Sequence, residues 1–201
     1  MPRPYHSDLA LPELFPPLLF LGADVERMTR MSGAERGAIY TWQEVVEFIL
    51  DLAGYSSDKP LWGMRLLEPS FGSGDFLIAA IRRLLKSARR DDRPAGKLCT
   101  ATRAVELHRV TYQITRNRVI EFLIEMDLAK EEASSLADTW LINGDFLLEE
   151  FAAEFDFVVG NPPYVRQEMS SAPLLTEYRR RYTTLFDRAD LYVPFIEQSL
   201  V

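Results

Sequence analysis

The chain has 201 residues, 47% hydrophobic and 26% charged, values of an ordinary globular domain that argue against a disordered tail or a membrane protein. Its formal net charge is -7, with 30 Asp and Glu against 23 Lys and Arg, so a grip on nucleic acid would have to come from local basic patches. Cys99 is the single cysteine, which excludes an internal disulfide and disfavours a cysteine metal site; no metal is expected, and the expected setting is a reducing cytoplasm.

Residues 1–36 carry prolines and no clean period, and read as a lead-in. The apolar stretch over residues 9–21 is broken by Pro12, Glu13, Pro16 and Pro17, which suits neither a bilayer span nor a signal peptide. Thr41 and Glu44 form a capping box before Val45, Val46, Phe48, Ile49 and Leu52 at helical spacing, and Gly54 ends that helix. Residues 65–67 read as a strand, followed by the turn Glu68-Pro69-Ser70-Phe71-Gly72-Ser73-Gly74. A helix over residues 75–88 points Phe76, Leu77, Ala80 and Leu84 inward. A polar loop over 91–97 leads to a strand at 102–107 and a long helix at 108–128. Residues 139–142 and 156–159 read as two further short strands. Two candidate helices, 173–182 and 191–201, close the chain, and their apolar faces are expected to lack strands to pack on.

This alternation predicts an α/β fold, a partial doubly wound parallel sheet with its strands in the spatial order third, second, first, fourth. One domain is expected over residues 37–201. The basic clusters at Arg82, Arg83, Lys86, Arg89 and Arg90, and at Arg179 to Arg181, read either as DNA contacts or as solvated helix faces.

In a doubly wound sheet, ligands sit beyond the carboxyl ends of the strands, where a glycine turn exposes a helix N-terminus. Gly72 and Gly74 suit that geometry, although a glycine turn by itself is also a plain structural device. Glu106 ends the second strand, where a carboxylate can accept both hydroxyls of a ribose; alone it is equally a surface acid. After the third strand, Asp145 offers an acceptor for an adenine amino group and Phe146 a ring to stack on it, against the plain readings of a turn former and a core residue. Three successive strand ends bearing glycine turn, acid, and acid with aromatic match the demands of an adenosine-containing cofactor.

Asn161-Pro162-Pro163-Tyr164 follows the apolar strand Phe157-Val158-Val159-Gly160. An amino group conjugated to an aromatic ring is a poor nucleophile because its lone pair is delocalised. The Asn161 side-chain oxygen and the Pro162 carbonyl can accept its two N–H bonds and favour a pyramidal nitrogen, while the fixed φ of proline holds the carbonyl still. Tyr164 can stack on the target ring, a contact worth roughly 1–3 kcal/mol for bases on aromatic platforms.

The segments GAIYTWQEVVEF, LEPSFGSGDFL, VEL, NGDFL, VVGNPPYVRQE and DLYVPFIEQSL, in that order from Gly37 onward, resemble the motifs of the gamma-class DNA adenine methyltransferases, especially the restriction-modification branch. The resemblance implies a Rossmann-like fold and methyl transfer from S-adenosylmethionine to adenine N6, in double-stranded DNA with the adenine flipped out. It implies that Tyr40 and Thr41 lie near the methionine end of the cofactor. It further implies that Glu68, Pro69, Gly72 and Gly74 line the cofactor, that Glu106 holds ribose, that Asp145 and Phe146 hold adenine, and that Asn161, Pro162, Pro163 and Tyr164 form the catalytic set. Residues 190–195 resemble the motif whose helix walls the pocket.

The family usually has proline at the position of Trp42 and a small residue at that of Phe71, so Phe71 is expected to reshape the pocket. It also continues with further strands and a target-recognition region, so residues 37–201 are expected to be an incomplete catalytic domain. The open sheet edge is then expected to be covered by a second polypeptide or by self-association. The alternatives are a protein glutamine or ribosomal RNA methyltransferase, which share the glycine loop and Asn-Pro-Pro-Tyr, or an inactive or split cofactor-binding fragment.

Overall fold

The computed structural model describes residues 42–166, 170–186 and 189–200. The first described helix, α1 (Gln43–Leu52), starts with Trp42 at its N-cap and no side-chain cap; Thr41, the first residue of the expected capping box, lies outside the described residues. At its far end Gly54 adopts φ +73°, a left-handed conformation that closes the helix with Tyr55 N donating to Leu50 O at 2.9 Å. Val46 and Leu50 are buried, whereas Val45, Phe48 and Leu52 stay exposed.

Strand β1 (Leu66–Glu68) leads through the glycine turn into α2 (Asp75–Arg90), followed by β2 (Thr102–Glu106), α3 (Arg109–Glu125), α4 (Lys130–Trp140) and β3 (Leu141–Asn143). Strand β4 (Phe157–Val158) follows, then α5 (Ala172–Arg181) and α6 (Tyr192–Ser199). The four strands are all parallel and lie in the order β3-β2-β1-β4, as the sequence predicts. Helix α4 was not expected, and it takes Thr139 and Trp140 out of the expected third strand. Trp140 is fully buried and its Nε1 donates to Leu98 O at 2.9 Å, which fixes where the helix gives way to the strand.

Neighbouring residues of one strand point to opposite faces. Leu66 and Ala104 accordingly enter one core with Phe76, Leu77, Ala80, Leu84 and residues of α1, α3 and α4. Leu67 and Val105 enter a second core with Phe146, Leu147, Val165 and residues of α5 and α6. Burying one such aliphatic side chain contributes about 1.5–3 kcal/mol, so both faces are held mainly by apolar burial. The expectation that the last two helices lack strands is thereby corrected: Leu174, Tyr178, Leu191 and Phe195 share the second core with β1 and β2, because the sheet has a free second face for them. Among the described residues no helix is long and apolar enough to cross a membrane.

Candidate active site

The strand order reverses at β1. From there the chain runs outward through β2 to β3, then returns to lay β4 on the other side. A ligand crevice forms at such a reversal, beyond the carboxyl ends of the strands.

The glycine turn is pinned from both sides. Gly72 N donates to Glu106 Oε2 at 2.9 Å, Thr115 Oγ1 donates to Gly72 O at 2.6 Å, and Phe71 N donates to Val105 O at 3.0 Å. Gly74 has φ +82°, and a Cβ there would meet Thr115 Cγ2 at 2.6 Å, so backbone conformation and space both require glycine. The Phe71 ring is buried in the first core, 6.1 Å from that of Tyr112.

Glu106 is buried, and its Oε1 accepts His108 N at 2.8 Å. Its backbone oxygen accepts Gly144 N at 3.1 Å and Asn143 Nδ2 at 2.8 Å, which ties the end of β2 to the loop after β3. On that loop Asp145 Oδ1 accepts Leu147 N at 3.0 Å, and Oδ2 accepts the Tyr178 hydroxyl of α5. Burial pushes the Asp145 carboxyl up to about 6, with the Tyr178 and Leu147 hydrogen bonds pulling the other way. Phe146 is buried, its ring centroid 5.0 Å from that of Phe195 and 6.0 Å from that of Phe151, so its plane is fixed by the second core.

Glu68 is the chemically unusual member. It is 2% exposed, and among the described residues its Oε2 is buried with no hydrogen-bond partner. Burial, then the charges of Asp75 and Glu106, raise its carboxyl well above the ordinary range. A buried acid between two others favours a cationic ligand over an anion. Gly160, just past β4, stands against it: a Cβ on Gly160 would lie 3.5 Å from Glu68 Cγ and from Pro69 Cδ. The half-buried Asn161, Pro162 and Pro163 follow directly, and then Tyr164, 54% exposed, with its ring 6.1 Å from that of Tyr192.

Gly72 is thus bonded to Glu106, Thr115 meets both Gly72 and Gly74, Glu106 O holds Gly144 beside Asp145, and Gly160, next to Asn161, packs on Glu68 and Pro69. Tyr40 and Thr41 lie outside the described residues. The sequence reading missed Thr115, His108, Asp75 and above all Tyr178 and Tyr182. The available signal was the i, i+4 spacing of those two tyrosines on a helix otherwise read for its arginines. The basic clusters are largely engaged within the fold: Arg83 bonds Glu47 and Asp51, Arg90 bonds Asp91, and Arg180 and Arg181 bond Glu177.

The fold and the crevice together define a doubly wound α/β domain of the Rossmann-like methyltransferase kind. Residues 77–201 match the Eco57I restriction-modification methylase model, and the chain belongs to that family. It is 56% identical over 183 residues to the Type II methyltransferase M.PaeR7I of Pseudomonas aeruginosa, an alignment covering 89% of this chain and 32% of that protein. With the Type II methyltransferase M.XhoI of Xanthomonas vasicola it shares 51% identity over 170 residues, 83% of this chain and 31% of the relative. The modification methylase CviBIII of Paramecium bursaria Chlorella virus NC1A is 24% identical over 173 residues, 86% of this chain and 36% of its own length. The chain therefore spans about a third of the length of these relatives.

Proposed function

We propose that the chain is the cofactor-binding and catalytic part of a restriction-modification enzyme that methylates adenine N6 in double-stranded DNA from S-adenosylmethionine. The supporting observation is the packing of Gly160 against Glu68 and Pro69, which sets the Asn-Pro-Pro-Tyr loop on the same crevice as the glycine turn and Glu106. The residues present fit the cofactor: Glu68 Oε2, buried without a hydrogen-bond partner among the described residues, lies in the field of Glu106 and Asp75, and three acids together suit a cation. Bound there, S-adenosylmethionine supplies a methyl group on a positively charged sulfur. Glu106 is proposed to take the ribose hydroxyls, and the Gly72–Gly74 turn to let the cofactor approach the backbone. Asp145 is proposed to take the adenine amino group, and Phe146, held in plane by Phe195, to stack on that ring. Tyr40 and Thr41 would complete the methionine end.

On the substrate side, the target adenine has to leave the stack before its amino group is reachable. Tyr164, largely exposed, would receive the flipped ring. The Asn161 side-chain oxygen and the Pro162 carbonyl would accept the two N–H bonds, turning the nitrogen lone pair toward the methyl carbon. The bound cofactor would supply the methyl group and leave as its neutral thioether, and the proton released from the methylated nitrogen would pass to water. A cysteine nucleophile is not needed, and Cys99 is exposed and precedes β2, at the opposite end of the sheet from the crevice. Beyond β4 the sheet is proposed to be completed by further strands, by a second polypeptide or by self-association.

The test is a chimera in which this chain replaces the matching segment of M.PaeR7I, supplied with labelled S-adenosylmethionine and duplex DNA. The expected product is N6-methyladenine, with no label entering ribosomal RNA or release-factor protein, and Asn161→Ala is expected to remove it. Label on cytosine, on protein or on ribosomal RNA, or undiminished activity in Asn161→Ala, would refute the reading.

A further inference from the structure

Four side chains from the last two helices reach down onto one short loop. The hydroxyl of Tyr178 donates to Asp145 Oδ2, and that of Tyr182, one turn later on α5, donates to Leu147 O at 2.6 Å. Arg181 Nη1 donates to Leu148 O at 3.1 Å, and Gln198 Nε2 of α6 donates to Glu149 O at 3.2 Å. Three of these hold main-chain carbonyls, and only Tyr178 holds a side chain of the site. Its hydroxyl is buried with the Asp145 carboxyl, and burial together with the negative charge opposite raises it well above the ordinary phenol range, so it remains a donor. A buried carboxylate can rotate about its side-chain torsions unless something fixes it; here Leu147 N fixes one oxygen and Tyr178 the other.

We propose that Tyr178 is a positioning residue: it fixes the Asp145 carboxylate to receive the amino group of the cofactor's adenine ring, so that α5, downstream of the Asn-Pro-Pro-Tyr loop, sets cofactor affinity. This rests on the cofactor reading given above. Ionised, the carboxylate offers acceptor lone pairs on both oxygens for Leu147 N, Tyr178 and a ligand amino group, and it faces Tyr178 and Arg181 from α5 and Glu149 from its own loop. Arg181 favours the ionised form and Glu149 opposes it, while the hydroxyl of Tyr178 is the neutral donor that stabilises it. Affinity for the cofactor therefore rises with pH as Asp145 ionises and levels off above that.

The experiment is calorimetric titration of the chain with S-adenosylmethionine between pH 5 and 9, in the unmodified form and in Tyr178→Phe, Tyr182→Phe and Asp145→Asn. Loss of one hydrogen bond to a charged group is expected to move the midpoint of the Tyr178→Phe profile upward by about one pH unit, weakening binding about tenfold at pH 5 and about twofold at pH 7. Tyr182→Phe, which loses a bond to a carbonyl of the same loop, is expected to keep the original midpoint. Asp145→Asn is expected to flatten the profile. A Tyr178→Phe midpoint equal to that of the unmodified chain, or one shared with Tyr182→Phe, overturns the positioning role. An Asp145→Asn profile unchanged from the unmodified chain, or no binding by the unmodified chain at any pH, overturns the cofactor reading itself.

Discussion

The two faces of the sheet are built from different materials. The face covered by α1 to α4 is mainly aliphatic, with Leu66, Leu77, Ile81, Leu84, Val119 and Leu123 essentially inaccessible beside a few rings such as Phe76 and Trp140, and its buried Ser87 is satisfied locally by Lys59 O and Leu61 N. The face covered by α5 and α6 is aromatic and wired, with Tyr178 and Tyr182 hydrogen-bonded to the loop that carries Asp145. Dispersion and burial are indifferent to small rotations, whereas hydrogen bonds to one carboxylate are not. The first face supports the scaffold, and the second orients the Asp145 carboxylate at some cost in buried polarity.

Changes on each face should sharpen that contrast. The largest stability loss is expected from Leu77→Ala, about 2–5 kcal/mol in denaturant unfolding, because the site is closed on every side and leaves a cavity. A loss well under that range would mean that the aliphatic face collapses onto its defects. Next, Gly74→Ala should cost about 2 kcal/mol, from a left-handed residue and the contact with Thr115, and should weaken cofactor binding with it.

The wired face should betray itself by pH. Burial holds the Asp145 carboxyl at about 6 in the folded chain, above its ordinary unfolded value near 3.8. Between those values the folded state binds the extra proton, so stability falls as pH rises from about 4 to about 6 and is flat above. Relative to Asp145→Asn, the unmodified chain should therefore lose on the order of 2 kcal/mol across that window. Glu68 is raised in the same sense, so the difference between the two proteins is the quantity to measure. No difference in slope would remove the buried ionised carboxyl from the second face. The smallest effect belongs to the exposed stripe of α1: Val45→Ser should change stability by no more than about 0.5 kcal/mol, since Val45 is half exposed.

Strand positions were legible because parallel strands covered on both faces are short continuous apolar runs, and Leu66-Leu67 and Phe157-Val158-Val159 are bounded by polar or turn residues. Their spatial order followed from the reversal that doubly wound sheets share. Helix α4 was not legible, although Ala133, Leu136, Ala137 and Trp140 sit at i, i+3, i+4 and i+7. Two of those four are alanines and the rest of the helix is Ser, Thr and charge, so its apolar stripe is thin. Gly72, Gly74, Glu106 and Asp145 were legible as candidates because they lie at strand ends, where a doubly wound sheet opens its crevice. The bond between Tyr178 and Asp145 joins residues 33 apart, and neither local spacing nor composition encodes such a contact.

The pairing of β1 with β4 carries a consequence for how the molecule comes to exist. Arg65 N, at the start of β1, donates to Asp156 Oδ2, a contact that closes a loop of 91 residues, whereas β1 meets β2 after fewer than half as many. Long closures form late because their entropy is lost before any contact compensates it. On a ribosome adding roughly 5–20 residues per second, β1 and β2 have several seconds, and β3 about 1–3 s, in which to associate before β4 emerges. During that interval the side of β1 that β4 will occupy is an open edge, and the Asn-Pro-Pro-Tyr loop joins the crevice only at the last docking event. Nascent chains halted before residue 157 should therefore be the aggregation-prone species, and the crevice should mature after the scaffold that carries it.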